Sequence, residues 1–429
     1  MKIKTLDSSS IDFMKNLSDH LSFRVKNSIH IDKSVDEILN NIRKYGDRAL
    51  IDYIKKYDQA FYKKISDSLV SKKEIDEAYS LVPKKTLANI KKAITNIKKF
   101  SQKQSIKTWS MAVKGSMIGE KVSAIKTAGI YVPGGKASYP STVLMNAIPA
   151  KIAGVKNIIM VSPPTNKKIN PLVLVAADLC KVDKIYKFGG AHAVAALAYG
   201  TKTITPVDKI VGPGNIYVAT AKKKVFGTVG IDSFAGPSEI LIIANKDSDP
   251  ECIAIDMFAQ AEHDELAQSI LLTTSKKLIA DVNKKIDLLI STQKRKKIIK
   301  KSLESRGLFL KAKSTSEVIK IANRIAPEHL EIIGKSANTV AKRITNAGAI
   351  FIGENSPEVF GDYCAGPNHV LPTNGTAKYA SPLGVYDFLK RTSIMKISKK
   401  HAEELSSIAS SLAECEGLHA HSQSAKFRK

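Results

Sequence analysis

The chain has 429 residues, 43% of them hydrophobic, enough for two or three domains with ample cores. Its formal charge is +27, but the excess is scattered lysine with one dense run at 294–301, which describes solvated helix faces better than the arginine-and-aromatic surface of a nucleic-acid binder. No apolar run nears the ~20 residues of a membrane helix, no apolar segment opens the chain, and Cys180, Cys252, Cys364 and Cys415 form no close pair, so the expectation is a cytoplasmic chain with neither secretory signal nor disulfide framework.

In chain order, residues 1–24 read as a short arm. From Ser34 to about Lys107 the pattern is helical and amphipathic, with Leu87, Ile90, Ile94 and Ile97 at helical spacing. From Gly129 short apolar strands (129–132, 157–161, 184–188, 209–211, 239–244, 270–274, 349–352) alternate with helices such as 142–153, 171–180, 191–199 and 216–225. This alternation predicts an α/β fold with largely parallel sheets.

Three of these strands run into glycine turns: Tyr131-Val132-Pro133-Gly134-Gly135, Phe188-Gly189-Gly190 and Val211-Gly212-Pro213-Gly214-Asn215. Strand, glycine turn and helix can present backbone N–H groups to a phosphate, although such turns also serve as plain connectors and no G-x-G-x-x-G is present. A helix expected over 251–268 would place Gln260 and His263 on one face. That is either half of a metal site or a polar face touching solvent. After a helix at 316–324, Pro327-Glu328-His329 sets two proton carriers side by side, or forms a polar surface turn. The loop at 361–369 carries Asp362 and His369, and Ala235-Gly236-Pro237-Ser238-Glu239 leads into the strand at 239–244. Beyond about 381 the α/β pattern fades into a helix at 399–412. Glu416, His419 and His421 follow it in a polar tail.

Taken together, these motifs resemble the histidinol dehydrogenase family from about residue 25 to His421. The markers are the turns at Tyr131, Gly189 and Gly212, the 235–239 loop, Gln260-Ala261-Glu262-His263, Ala326-Pro327-Glu328-His329-Leu330, the 361–371 loop and the 416–421 tail. The resemblance implies two incomplete Rossmann-like parallel-sheet domains. One would be discontinuous (25–128 with 240–381) and carry the metal and catalytic residues; the other (129–239) would lie on the cofactor side. A small N-terminal arm (1–24) and a helical C-terminal tail (382–429), swapped in a homodimer, would complete the chain.

It further implies one zinc ion per subunit held by Gln260, His263, Asp362 and His421, with Glu328 and His329 as the acid–base pair. Those four ligands and His329 would contact L-histidinol together with Ser238, His369 and Glu416. Tyr131, His192 and Asn215 would contact NAD. His421 and Glu416 would complete the site of the partner subunit. The family commonly has glutamine where this chain has His192. The reaction implied is oxidation of L-histidinol through L-histidinal to L-histidine with two NAD. Two other readings compete with it: a related metal-dependent dehydrogenase of another small alcohol, and a basic nucleic-acid binder on an enzyme scaffold.

Overall fold

The structure, a computed structural model, describes residues 1–22, 29–134, 139–233 and 236–428. Gly135 and Ala235, which belong to two of the motifs above, lie outside the described residues. The fold is mixed α/β with two parallel sheets. The five-stranded sheet runs Lys184–Tyr186, Asn157–Val161, Thr127–Tyr131, Lys209–Val211, Gly230–Ile231, and every neighbouring pair is parallel. In chain order its strands stand 3-2-1-4-5. The six-stranded sheet repeats that order through Leu308–Lys311, Gln268–Thr273, Glu239–Ala244, His329–Ile333 and Ala349–Ile352, again all parallel. Glu239–Ala244 and Gln268–Thr273 are buried along their whole length. Central parallel strands covered on both faces require such unbroken apolar runs.

Three regions differ from the expectation. Residues 1–22 are no arm: Lys4–Asp7 pairs in parallel with Leu308–Lys311 as the outermost strand of the six-stranded sheet. Leu6, Phe13 and Leu17 are buried in that sheet's core, which holds the segment down. A four-residue strand is too short to show a period. The helices from Ile29–Tyr45 to Lys84–Gln102 pack on the five-stranded sheet, not on the six-stranded one. Leu39, Ile42 and Leu50 share a core with Leu197 and Val218, and Ile90, Ile94 and Ile97 share one with Met145 and Ile148. Finally, Trp109–Val113, Ser116–Ala124 and Leu389–Lys396 form a separate antiparallel sheet that ties the middle of the chain to its end. The tail helix Lys399–Cys415 docks there, with the His401 Nδ1 at 2.9 Å from the Ser116 hydroxyl.

The route between the two large sheets places the site. The chain leaves the C-terminal end of Gly230–Ile231 and enters the N-terminal end of Glu239–Ala244 within seven residues. The carboxyl edge of one sheet therefore adjoins the amino edge of the other. Contacts fasten this junction: Gly236 N–H donates to the Thr373 hydroxyl at 2.6 Å, and Asn368 Nδ2 donates to the Met145 carbonyl at 2.6 Å. Val370, Leu383 and Phe388 sit in one core with Ala128 and Ile130.

Candidate active site

The amino edge of the six-stranded sheet gathers Glu239, Gln260, His263, Glu328, His329, Glu358 and Asp362. His329 is the first residue of its strand, not part of a helical turn. Its Nδ1 lies 3.0 Å from the Glu239 carbonyl, and an N–H there would donate to it. Its Nε2 is buried without a hydrogen-bond partner and faces Asp362 Oδ1 at 3.4 Å. Glu328 accepts the Glu239 N–H at 2.8 Å. The helix Pro250–Ala261 runs back to this edge and ends before His263, so the expected continuation to 268 is absent. His263 follows in a tight turn, its N–H donating to the Gln260 carbonyl at 3.2 Å. The pair is still held together, by that turn rather than by a helix face. Gln260 is fully buried, and with its amide nitrogen turned toward the cluster it lies 3.3 Å from the Glu239 carbonyl and 3.2 Å from Glu358 Oε1.

Burial and charge act against each other here. Burial pushes the Glu328 carboxyl up to about 8 and that of Glu358 to about 8. Burial also opposes the charged form of His329, but Glu358, Glu328 and Asp362 outweigh it and raise its pKa well above the ordinary imidazole value. Burial lowers that of His263. Asp362 resists burial because His329, His369 and His263 surround it, and its carboxyl stays below the usual range. His263, Glu358 and Asp362 each offer one ligand atom, all within 4.8 Å of one another. A nitrogen and two carboxylate oxygens, with the Gln260 amide adjoining, suit a divalent cation of the zinc type.

Glu358 was not singled out in the sequence. It opens the six-residue helix Glu358–Tyr363 directly after Pro357, and Glu331 fixes it by accepting its N–H at 2.6 Å. The Pro-Glu helix start was the one available signal. The expected residues are only partly assembled. His369 adjoins the cluster, its Nδ1 at 2.9 Å from the Asp362 carbonyl, and Ser238 immediately precedes Glu239. His421 and Glu416 are exposed on the tail and do not join the metal-ligand set of this single chain.

The residues expected on the cofactor side gather at the carboxyl edge of the five-stranded sheet. Tyr131 ends the strand Thr127–Tyr131, Gly212 follows Lys209–Val211, and the strand order reverses between these two strands, where open α/β sheets bind ligands. Gly212 is required there: its φ is +107°, and a Cβ would lie 2.2 Å from the Tyr131 carbonyl oxygen. Asn215 is exposed and caps the helix Ile216–Val225. His192 is 1% exposed, and its Nε2 lies 2.8 Å from Asp58 Oδ2.

A buried Glu–His pair beside residues that could hold a cation, at the junction of two parallel sheets, is the kind of site an α/β enzyme carries. The histidinol dehydrogenase family model matches residues 22–429. Histidinol dehydrogenase of Nitrosomonas europaea is 48% identical over all of this chain and 99% of its own length, and that of Neisseria meningitidis serogroup B is 46% identical over 99% and 100%. The crystal structure of histidinol dehydrogenase from Elizabethkingia anophelis superposes with a TM-score of 0.93 at 36% identity, covering 99% of this chain and 98% of that one. The chain belongs to the histidinol dehydrogenase family and is an oxidoreductase.

Proposed function

We propose that the chain oxidises L-histidinol to L-histidinal and then to L-histidine, giving two hydrides in succession to two NAD molecules. One zinc ion per subunit would be held by Gln260, His263 and Asp362, with His421 of the partner subunit as the fourth ligand. The observation that carries this reading is the burial of Glu328 and His329 against the His263–Glu358–Asp362 set. When bound, the metal would orient the substrate's amine and imidazole and offset the crowded carboxylates.

The chain's own residues then divide the work. With Nδ1–H donating to the Glu239 carbonyl, His329 would present Nε2 to the hydroxyl proton once a bound cation offsets Glu358, Glu328 and Asp362, whose charge otherwise keeps the imidazole protonated. Glu328 takes a proton from the water that attacks the aldehyde carbon, and His329 takes the next as the second hydride leaves. Two adjacent bases suit two oxidations of one carbon. Retaining the aldehyde between them protects a reactive intermediate. Ser238, His369 and Glu416 would hold the substrate. Tyr131 and Asn215, which stand where the strand order reverses, would contact NAD; the Asn215 oxygen serves the helix cap, which leaves its amide nitrogen for a ligand.

Exposed apolar residues on the tail (Ile408 52%, Leu412 60%, Phe427 87%) support a homodimer in which the tail crosses to a second copy. The test is NADH formation from L-histidinol before and after chelation. Two NADH per substrate, lost with the metal and restored by zinc, is the expected result. A yield of one, or no effect of chelation, would refute it.

A further inference from the structure

Three glycine N–H groups at the carboxyl edge of the five-stranded sheet, those of Gly189, Gly190 and Gly212, are already engaged. Gly189 N–H donates to Asp58 Oδ2 at 3.2 Å, the same oxygen that meets His192 Nε2. Gly190 N–H donates to the Tyr131 hydroxyl at 2.9 Å. Gly212 N–H donates to Asp232 Oδ2 at 2.7 Å, while the other oxygen of Asp232 pairs with the buried Lys222. A turn that cradles a pyrophosphate must aim such groups at the ligand. Here two buried carboxylates and the Tyr131 hydroxyl take them, and a carboxylate repels phosphate. The expectation that these turns receive a phosphate does not hold for these donors.

Asp58 comes from the helical turn Ile54–Asp58, remote in sequence from the sheet, and reaches the Gly189 turn with its side chain only 6% exposed. The rings of Tyr53 and Tyr57 stack on His192 at 6.3 and 6.0 Å, which fixes the imidazole in place. We propose that Asp58 is a positioning residue for the cofactor: with His192 it locks the Gly189–Gly190 turn, and the locked turn sets the Tyr131 hydroxyl. His192 then acts through Asp58 and not by touching NAD. This rests on the reading above that Tyr131 meets NAD.

The test uses the full-length, metal-loaded protein with NADH fluorescence titration and steady-state kinetics on wild type, D58N, H192A and H192Q. D58N and H192A should each raise the NADH Kd and the KM for NAD by about tenfold, with kcat little changed. The double variant D58N/H192A should be no worse than either single one, because both break the same link. H192Q should stay near wild type, since an amide nitrogen can donate the same bond to Asp58. A lowered melting temperature with unchanged NADH affinity in D58N would overturn the proposal, because a merely structural pair predicts that. Loss of affinity in H192A but not in D58N would overturn it too, by showing that the imidazole itself meets the cofactor. Wild type that binds no NADH would refute the proposed function and this inference with it; wild type and D58N binding equally would refute this inference alone.

Discussion

Replacing Glu328 by glutamine separates the buried carboxyl's effect on stability from the catalytic role proposed for it. In the metal-free chain burial raises its pKa from 4.5 to about 8. Between those values the folded state holds a proton that the unfolded state has lost. The contribution to stability is therefore fully present below about pH 4.5 and is lost as pH rises through about 8. The shift corresponds to about 5 kcal/mol across that window. Glutamine mimics the protonated form and can still accept the Glu239 N–H. E328Q should match wild type in stability near pH 5 and exceed it increasingly up to pH 9, measured by urea unfolding of the chelated protein. Catalysis should move the other way. The carboxylate must be ionised to activate water, so aldehyde oxidation by wild type should rise with pH through an ionisation well above the ordinary carboxylate range. E328Q should lose that limb and about 10²–10⁴-fold of the rate from L-histidinal. The first NADH from L-histidinol should form at a rate within about tenfold of wild type, because removing one base touches only the step that uses it. Equal damage to both half-reactions, or a pH limb that survives in E328Q, would refute this division of labour.

His329→Asn should abolish both half-reactions, since its Nε2 is the base proposed for each; a variant retaining either one in single-turnover NADH traces would displace it as the shared base. Burial lowers the His263 pKa, so its imidazole is neutral at pH 7 and zinc affinity should fall only as pH drops below the ordinary imidazole range, as a competitive chelator titration would show. E358Q should weaken zinc binding by about 10–100-fold if the Glu358 oxygen belongs to the ligand set; unchanged zinc content after dialysis would remove it from that set. Truncation after Gly417 removes His421 and should abolish activity and weaken metal retention. Full activity in the truncated chain would end the shared-site proposal.

The alternation of apolar strands with helices was legible because parallel strands buried on both faces leave continuous apolar runs, as at Glu239–Ala244. The strand Lys4–Asp7 was not, because four residues with a half-exposed pattern carry no period, and its place depends on a partner three hundred residues away. The antiparallel sheet escaped for a related reason: Trp109–Val113 and Leu389–Lys396 are mostly exposed, so no buried face imposes alternation. Within the site, Glu328 and His329 were visible as an adjacent pair of proton carriers. Glu358, Glu331 and Asp58 were not, since a single acidic residue in a polar stretch has no local signature. Only the fold brings Asp58 to within 2.8 Å of a histidine 134 residues away.

The shared 3-2-1-4-5 strand order makes the placement of chemistry informative. Both sheets have a point where strand order reverses, and in each the physical preference is for ligand at the carboxyl edge. The five-stranded sheet follows it, with Tyr131, Gly212 and Asn215 at that edge. The six-stranded sheet does not: Glu239 and His329 begin their strands, so the proposed acid–base pair lies at the amino edge. The 232–238 connection explains the difference, because it brings the amino edge of the second sheet against the carboxyl edge of the first. An oxidation needs the group that takes the hydride beside the group that takes the proton. In the proposed reaction, opposite edges of two like-ordered sheets would supply both from adjoining surfaces and would leave the carboxyl edge of the six-stranded sheet outside the chemistry. Substitutions in the loops after Ala244 and Ile333 should therefore alter stability and leave the kinetics of both half-reactions unchanged; a selective loss of either half-reaction there would contradict this placement.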